Sequence, residues 1–224
     1  MKFSSQSLDE RIERYWSRRA QGFGAVRRYE LSSEKSRLWL CEIEPFLPSG
    51  PLQILDAGTG TGFFAILMTE LGHAVTGVDL SPAMIDSARE TAQKKNMPID
   101  FRVMNAAQLA LPSARFDVVL SRNLTWTLPD VRAAYTEWYR VLRRGGVLIN
   151  FDADYGNVSF AQQTEKLNQP NAHAAIESAL LKECDAIKAH LRGSRRDIQS
   201  CPHVPADGGQ AWLELYYAFP LIFA

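Results

Sequence analysis

The stretch Leu55-Asp56-Ala57-Gly58-Thr59-Gly60-Thr61-Gly62-Phe63 decides the fold. It closes a short apolar run, Leu52–Ala57, that follows the turn residues Pro48-Ser49-Gly50-Pro51. A run of that length between such flanks reads as a parallel strand buried on both faces. Phe63–Leu71 then reads as a helix. A glycine-rich turn between a strand and a helix is the setting a nucleotide loop needs. Glycine turns the backbone tightly and lets a ligand approach with no Cβ in the way. The spacing here is G-x-G-x-G, whereas a dinucleotide fingerprint calls for glycine where Phe63 stands. Phe63 crowds the tightly packed helix start that a pyrophosphate site uses. The loop therefore suits a nucleoside without a pyrophosphate better than a nicotinamide dinucleotide. Asp79, about 20 residues further on, ends the next strand. An ionised carboxylate there accepts hydrogen bonds from two adjacent ribose hydroxyls.

Outward from the loop the pattern repeats. Ala74–Leu80 reads as a second strand. Ser81 caps a helix with Pro82 at its first position, and that helix runs to about Lys95. Ile99–Met104 and Phe116–Ser121 are strands three and four. Pro129-Asp130 opens a helix with Val131, Ala134, Tyr135, Trp138, Val141 and Leu142 on one side, and Gly145-Gly146 is expected to close it. Val147–Phe151 is the fifth strand. Strands alternating with helices predict an α/β fold with a doubly wound, mostly parallel sheet. Right-handed crossovers gather the carboxyl ends of the strands on one edge, where ligands bind. Upstream, residues 7–20 read as a helix with a Ser7/Glu10 capping box and Ile12, Tyr15 and Trp16 on one face. Ser32/Ser33 with Glu34 opens another, carrying Leu38, Trp39, Leu40, Ile43 and Phe46. The chain thus divides into a helical preamble over 1–50, an α/β core over 51–155, and a helix with an irregular tail over 156–224 that completes the same domain.

Composition narrows the function. The chain has 224 residues, 46% of them hydrophobic and 22% charged, which is ordinary for one globular domain with appendages. Lys and Arg number 25 and Asp and Glu number 25, so the basic surplus of a nucleic-acid or anionic-membrane binder is missing. Cys41, Cys184 and Cys201 form no C-x-x-C pair, and His73, His173, His190 and His203 have no ligand spacing. No disulfide framework and no metal site is expected. The opening MKFSSQSLDERIERYW has no apolar stretch of the kind a secretory signal carries, and no run approaches the roughly 18 apolar residues of a membrane span. The expectation is a cytoplasmic protein.

Residues 52–152 resemble the class I S-adenosylmethionine-dependent methyltransferases. The matching stretches are ILDAGTGTG (54–62), VTGVDLSPAMI (75–85), FDVVLSRN (116–123) and RVLRRGGVLINFD (140–152). The resemblance implies S-adenosylmethionine as cofactor. It places Gly58, Thr59, Gly60 and Gly62 against the methionine part, with Asp56 fixing either the loop or the cofactor's amino group. It places Asp79 on the ribose, and Leu80 and Met84 beside the adenine. The acid often found after strand three falls at Ala106, within Met104-Asn105-Ala106-Ala107-Gln108. Asn105, Ala106 and Ala107 are the residues expected around the adenine amino group, with Asn105 or Gln108 supplying a carbonyl in place of the acid. The preamble resembles the N-terminal lid of small-molecule methyltransferases in Tyr15-Trp16-Ser17-Arg18-Arg19-Ala20-Gln21-Gly22-Phe23. Its aromatics, Tyr15 first, either close over the cofactor or pack the helix onto the sheet.

The methyl acceptor is expected beyond strands four and five, among Arg122, Asn123, Asp152 and Tyr155. Two carboxylates, Asp152 and Asp154, with an aromatic beside a cationic sulfonium suit an amine or another small polar metabolite; both carboxylates also suit loop solubilisers or helix caps. Asn123 is not followed by Pro-Pro-Tyr, which disfavours the base- and glutamine-methylating relatives. The rival readings are a cofactor-binding module without catalysis and a nicotinamide-dependent oxidoreductase. The family fold ends with a helix and two further strands, the last antiparallel. Here residues 174–191 read as the helix, 193–210 are broken by Gly and Pro, and only Trp212–Phe219 could pair. The expectation is an incomplete or irregular sheet end, with a mobile 195–210 segment or pairing across a homodimer, so the protein is a monomer or a dimer.

Overall fold

The computed structural model describes residues 5–152, 178–194 and 211–216. Helix α1 (Ser5–Leu31) and helix α2 (Glu34–Ile43) precede the sheet, with a 3-10 turn at Glu44–Phe46. The core then alternates as β1 (Gln53–Ala57), α3 (Phe63–Glu70), β2 (Ala74–Asp79), α4 (Pro82–Lys94), β3 (Asp100–Val103), β4 (Phe116–Arg122), α5 (Val131–Val141) and β5 (Leu142–Asp152). Helix α6 (Ser178–Ser194) and strand β6 (Ala211–Tyr216) follow. The sheet order is β3-β2-β1-β4-β5-β6, and every pairing is parallel. The order reverses between β1 and β4. Their carboxyl ends therefore flank the crevice where an open α/β sheet takes its ligand.

The alternation along each strand supplies two cores. Ile54, Val118, Leu120, Ile149 and Phe151 face α2 and α3, where Trp39, Ile43, Phe64 and Met68 are buried. Leu55, Ala57, Val119 and Leu148 face α5, where Tyr135, Trp138 and Val141 are buried. Trp138 is fully buried and donates its indole N–H to the Ala106 carbonyl at 3.0 Å. A third cluster joins Leu8, Ile12 and Tyr15 of α1 to Trp126 and to Leu180, Leu181, Cys184, Ile187 and Leu191 of α6.

Three expectations are corrected. Helix α1 does not stop near residue 20; it runs on through Gly22 and Gly24 to Leu31, and Ser7 lies inside it rather than at its cap. Gly145-Gly146 does not close α5. The helix ends at Val141, and Leu142 is already extended and paired with Phe116. Arg143 holds that segment with bonds to the Arg115 carbonyl and the Asp117 carboxylate. The glycines instead take up a bulge before the ladder resumes at Val118 and Val147, with Gly145 at φ +80°. Of the apolar residues read onto α2, Leu38 is exposed, and Phe46 is exposed in the 3-10 turn beyond the end of the helix. The tail strand runs parallel to β5, in register from Val147 with Ala211 to Asp152 with Tyr216. Among the described residues it is the only strand after β5. The expectations for Asp154, Tyr155 and 195–210 fall outside the described residues.

Candidate functional site

The glycine loop is tied down from below by Asp56. This carboxylate is almost fully buried and accepts from the Thr59 hydroxyl at 2.6 Å and the Ala65 amide at 3.0 Å. Burial pushes its pKa up to about 7, against the pull of those two donors. Asp56 therefore fixes the loop to the first turn of α3. Gly58, Gly60 and Gly62 all take left-handed φ values of +72°, +55° and +87°. Gly62 is further required by packing, because a Cβ there would sit 3.1 Å from Ala88 and from Phe101. Gly77 was not singled out from sequence. A Cβ on it would stand 2.9 Å from the Thr59 hydroxyl, so β2 needs a glycine for the loop to lie down.

Asp79 closes the loop from the side. One oxygen accepts from the Gly60 amide at 2.9 Å and the other from the Ser81 amide at 2.9 Å. Burial raises its pKa to about 6, and the two amides pull the other way. Ser81 caps α4 by accepting from the Met84 amide at 3.2 Å, and Met84 is buried in the first turn. Leu80 packs against the α1–α6 cluster. Asn105 turns the chain after β3: its carbonyl accepts from the Ala107 amide at 2.8 Å, and its amide donates to Asp9 of α1 at 3.4 Å. Burial raises the pKa of Asp9. Ala106 is buried, and Gln108 is exposed.

The same edge carries polar atoms whose partners are missing. The Thr61 hydroxyl is buried in the loop with no hydrogen-bond partner among the described residues. So are Ser121 Oγ and Asn150 Oδ1, which stand side by side in register on β4 and β5. Asn150 donates its amide to the Tyr135 hydroxyl at 3.1 Å. Asn123 follows β4 at φ +55°, its backbone N–H donating to the Phe151 carbonyl at 2.7 Å. Asparagine is among the few residues that tolerate this conformation. Asp152 accepts from both the amide and the hydroxyl of Thr125, fastening the loop after β4 to the end of β5.

Two predicted site residues stand elsewhere. Arg122 points to the α2 side of the sheet. Its guanidinium lies 4.0 Å from the Trp39 ring centroid and bonds Glu30 at 3.0 Å. Tyr15 packs on Trp16 and the α6 cluster and accepts from Arg19 at 3.0 Å. The α1 side chain nearest to Gly60 is Phe23, 3.5 Å from the position of a Cβ.

The chain matches, over residues 55–150, the family described as "Methyltransferase domain". Residues 55–150 form a class I S-adenosylmethionine-dependent methyltransferase domain. This methyltransferase domain is 38% identical over 97 residues to malonyl-[acyl-carrier protein] O-methyltransferase of Serratia marcescens, covering 43% of this chain and 36% of that one. It is 35% identical over 115 residues to ubiquinone biosynthesis O-methyltransferase of Cereibacter sphaeroides, covering 51% and 47%. Beyond the core, 29% identity over 187 residues links it to the S-adenosyl-L-methionine-dependent Diels-Alderase iccD of Talaromyces variabilis, covering 75% and 61%. The chain spans between about a third and a half of the length of the first two relatives.

The methyltransferase site fits its nucleoside cofactor. Gly60 meets nothing nearer to a Cβ than the Phe23 ring at 3.5 Å, so its backbone is open to close approach. Asp79 borders the loop with a carboxylate, and the buried Thr61 hydroxyl of the same loop has no partner among the described residues.

Proposed function

We propose that this protein transfers a methyl group from S-adenosylmethionine to a small molecule. The observation that carries the reading is the contact between the glycine loop and Asp79, Gly60 amide to carboxylate at 2.9 Å, which joins the carboxyl ends of β1 and β2 beside the crevice between β1 and β4. Gly58, Thr59, Gly60 and Gly62 hold the methionine part. Asp79 accepts from the ribose. Leu80, Met84 and the turn Asn105-Ala106-Ala107 border the adenine.

S-adenosylmethionine supplies a methyl carbon already activated by a positive sulfur. The protein's task is to align an acceptor with it, and alignment alone is worth on the order of 7–11 kcal/mol of barrier. Asn123 and Asp152, at the carboxyl ends of β4 and β5, are the described residues that position the acceptor. Tyr155 is the remaining acceptor residue of this reading. The Ser121–Asn150 pair below them offers hydrogen bonds to a polar group. The two bacterial relatives named above are O-methyltransferases, which supports an oxygen acceptor. No helix among the described residues is long and apolar enough to cross a membrane.

The test is a transfer assay with tritium in the donor methyl group, run against panels of phenols, carboxylates, amines and thiols. Label on a phenol or carboxylate supports the proposal. Tight nucleoside binding with label on no panel would refute transfer and leave a cofactor-binding module.

A further inference from the structure

The turn after β3 does not supply the acceptor expected of it. Ala106 has no polar side chain, and Gln108 is exposed. The Asn105 carbonyl is already engaged inside the turn, by the Ala107 amide at 2.8 Å. A backbone N–H can only donate, so this bond fixes which way the Asn105 side chain lies and leaves its NH2 group, a donor, at the other end. That NH2 group meets the carboxylate of Asp9, from α1, at 3.4 Å. The amino group of adenine also only donates. Of the described side chains at this turn, Asp9 is the one whose oxygens are acceptors with a further bond to make.

Asp9, Glu13 and Ser17 are spaced four apart and share one stripe of α1. Ser17 Oγ meets Ser81 Oγ at 2.8 Å at the start of α4, and Asp9 meets Asn105 about 12 Å further along the helix at 1.5 Å per residue. The stripe therefore faces the edge where β2 and β3 end. Arg11 lies two positions from Asp9, on the opposite side of the helix, and its bond to Glu183 of α6 at 2.9 Å keeps α1 from turning about its axis. Leu8 and Ile12 belong to the buried cluster on which Leu80, the residue after Asp79, packs. Glu13 is held by the Ser17 hydroxyl at 2.6 Å. Asp9 has no partner but Asn105 among the described residues, and burial raises its pKa with no cation pulling the other way. The helix itself does not call for an acid there, since Asp9 is its fifth residue and lies past the first turn, where a carboxylate complements the dipole.

We propose that Asp9 is the acid of the adenine site: its carboxylate accepts from the adenine amino group, and the Asn105 side-chain amide holds it in place. Helix α1 thus supplies, from outside the sheet, the acceptor that Ala106 cannot. The assignment rests on the nucleoside reading of the cleft. It also makes the site selective among bases. A base with a carbonyl at that position, as in guanine, would set an acceptor against the carboxylate.

The test is a calorimetric cycle on the wild type, Asp9→Ala and Asn105→Ala, each titrated with S-adenosylhomocysteine and with its 6-deamino analogue, in which hydrogen replaces the amino group. The wild type is expected to bind the analogue about tenfold more weakly, through loss of one hydrogen bond to a charged acceptor at a partly exposed site. Asp9→Ala should bind S-adenosylhomocysteine about tenfold more weakly and the analogue as the wild type does, so that the preference vanishes. Asn105→Ala should keep a reduced preference, because Asp9 loses its support but not its oxygens. Melting temperatures of the ligand-free proteins expose a purely structural role. An Asp9→Ala protein that melts earlier and binds both ligands more weakly by the same factor would overturn the assignment. So would a preference that survives in Asp9→Ala and disappears in Asn105→Ala, which would give the amino group to the turn and leave the nucleoside site intact. No binding of S-adenosylhomocysteine to the wild type would overturn the nucleoside reading itself and the assignment with it.

Discussion

Replacing Glu30 with alanine should destabilise the protein more than any other single loss of charge in α1. The Glu30 side chain is 2% exposed, and its cationic partners Arg27 and Arg122 are 12% and 9% exposed. It also accepts the Trp39 indole N–H at 2.8 Å. Burial works against its charge, but the two guanidinium groups outweigh that and hold its pKa below the ordinary glutamate value. Removing one partner of a buried ion pair leaves the other charge uncompensated, at a cost of about 3–5 kcal/mol. In a chain of this size that is a fall of roughly 6–20 °C in melting temperature. Urea unfolding followed by tryptophan fluorescence gives the free energy directly. Because the folded pKa is depressed, the contribution of Glu30 is fully present above the unfolded glutamate pKa and is lost as pH falls through its folded value. The difference between wild type and Glu30→Ala should therefore shrink in acid. The exposed pair Lys94–Glu90 is the control, since its side chains are 67% and 62% exposed and solvent screens them, so Glu90→Ala should change stability far less than Glu30→Ala. A loss below about 1 kcal/mol for Glu30→Ala at neutral pH would refute the buried-pair account.

Further outcomes follow from the site. Asp79→Ala should weaken S-adenosylhomocysteine binding by about 2–4 kcal/mol, or about 30- to 1000-fold, as two charge-assisted bonds are lost against some water compensation; an affinity within about threefold of wild type would remove Asp79 from the ribose. With the Asp79 pKa raised to about 6, cofactor affinity should be constant above that pH and fall by up to about tenfold per unit below it, as the carboxylate takes up a proton; a flat profile from pH 5 to 8, roughly one unit below and two above that value, would contradict an ionised acceptor. Asn123→Ala and Asp152→Asn should reduce turnover while leaving calorimetric affinity for the nucleoside within about threefold, and a parallel loss of both would place these residues on the cofactor instead. Arg122→Ala should behave as a stability variant like Glu30→Ala, with a lowered melting temperature, and a turnover defect at wild-type stability would return it to the acceptor side.

The parts of the fold that could be read in advance are those set by local chemistry. Strands β1 and β2 are apolar runs between turn residues, and Ser81-Pro82 marks the start of α4 with a side-chain cap that the structure reproduces. The loop and Asp79 are neighbours in space because two adjacent parallel strands end together, which the βαβ pattern already implies. What escaped depends on contacts between distant segments. Arg122 looked like an acceptor residue because a charged side chain at a strand end is conspicuous. Its direction is set by the pleat and by Glu30, 92 residues away, for which no local signal exists. Gly22 and Gly24 look like helix breakers, and only the close approach of α1 to α4 explains why one of them lies inside a helix. Gly145-Gly146 has the sequence of a helix stop, yet the Arg143 contacts with the β4 edge draw that segment into the sheet first. The Thr61 hydroxyl could have been found only by counting partners for buried polar atoms.

The most direct test of the nucleoside site is calorimetric titration of the wild-type protein with S-adenosylmethionine, S-adenosylhomocysteine and NAD under one set of conditions. The geometry of Gly58, Gly60 and Asp79, with Phe63 where a pyrophosphate loop needs glycine, predicts saturable binding of both adenosyl ligands at one site and no measurable heat with NAD. Binding of NAD more tightly than S-adenosylhomocysteine would contradict it.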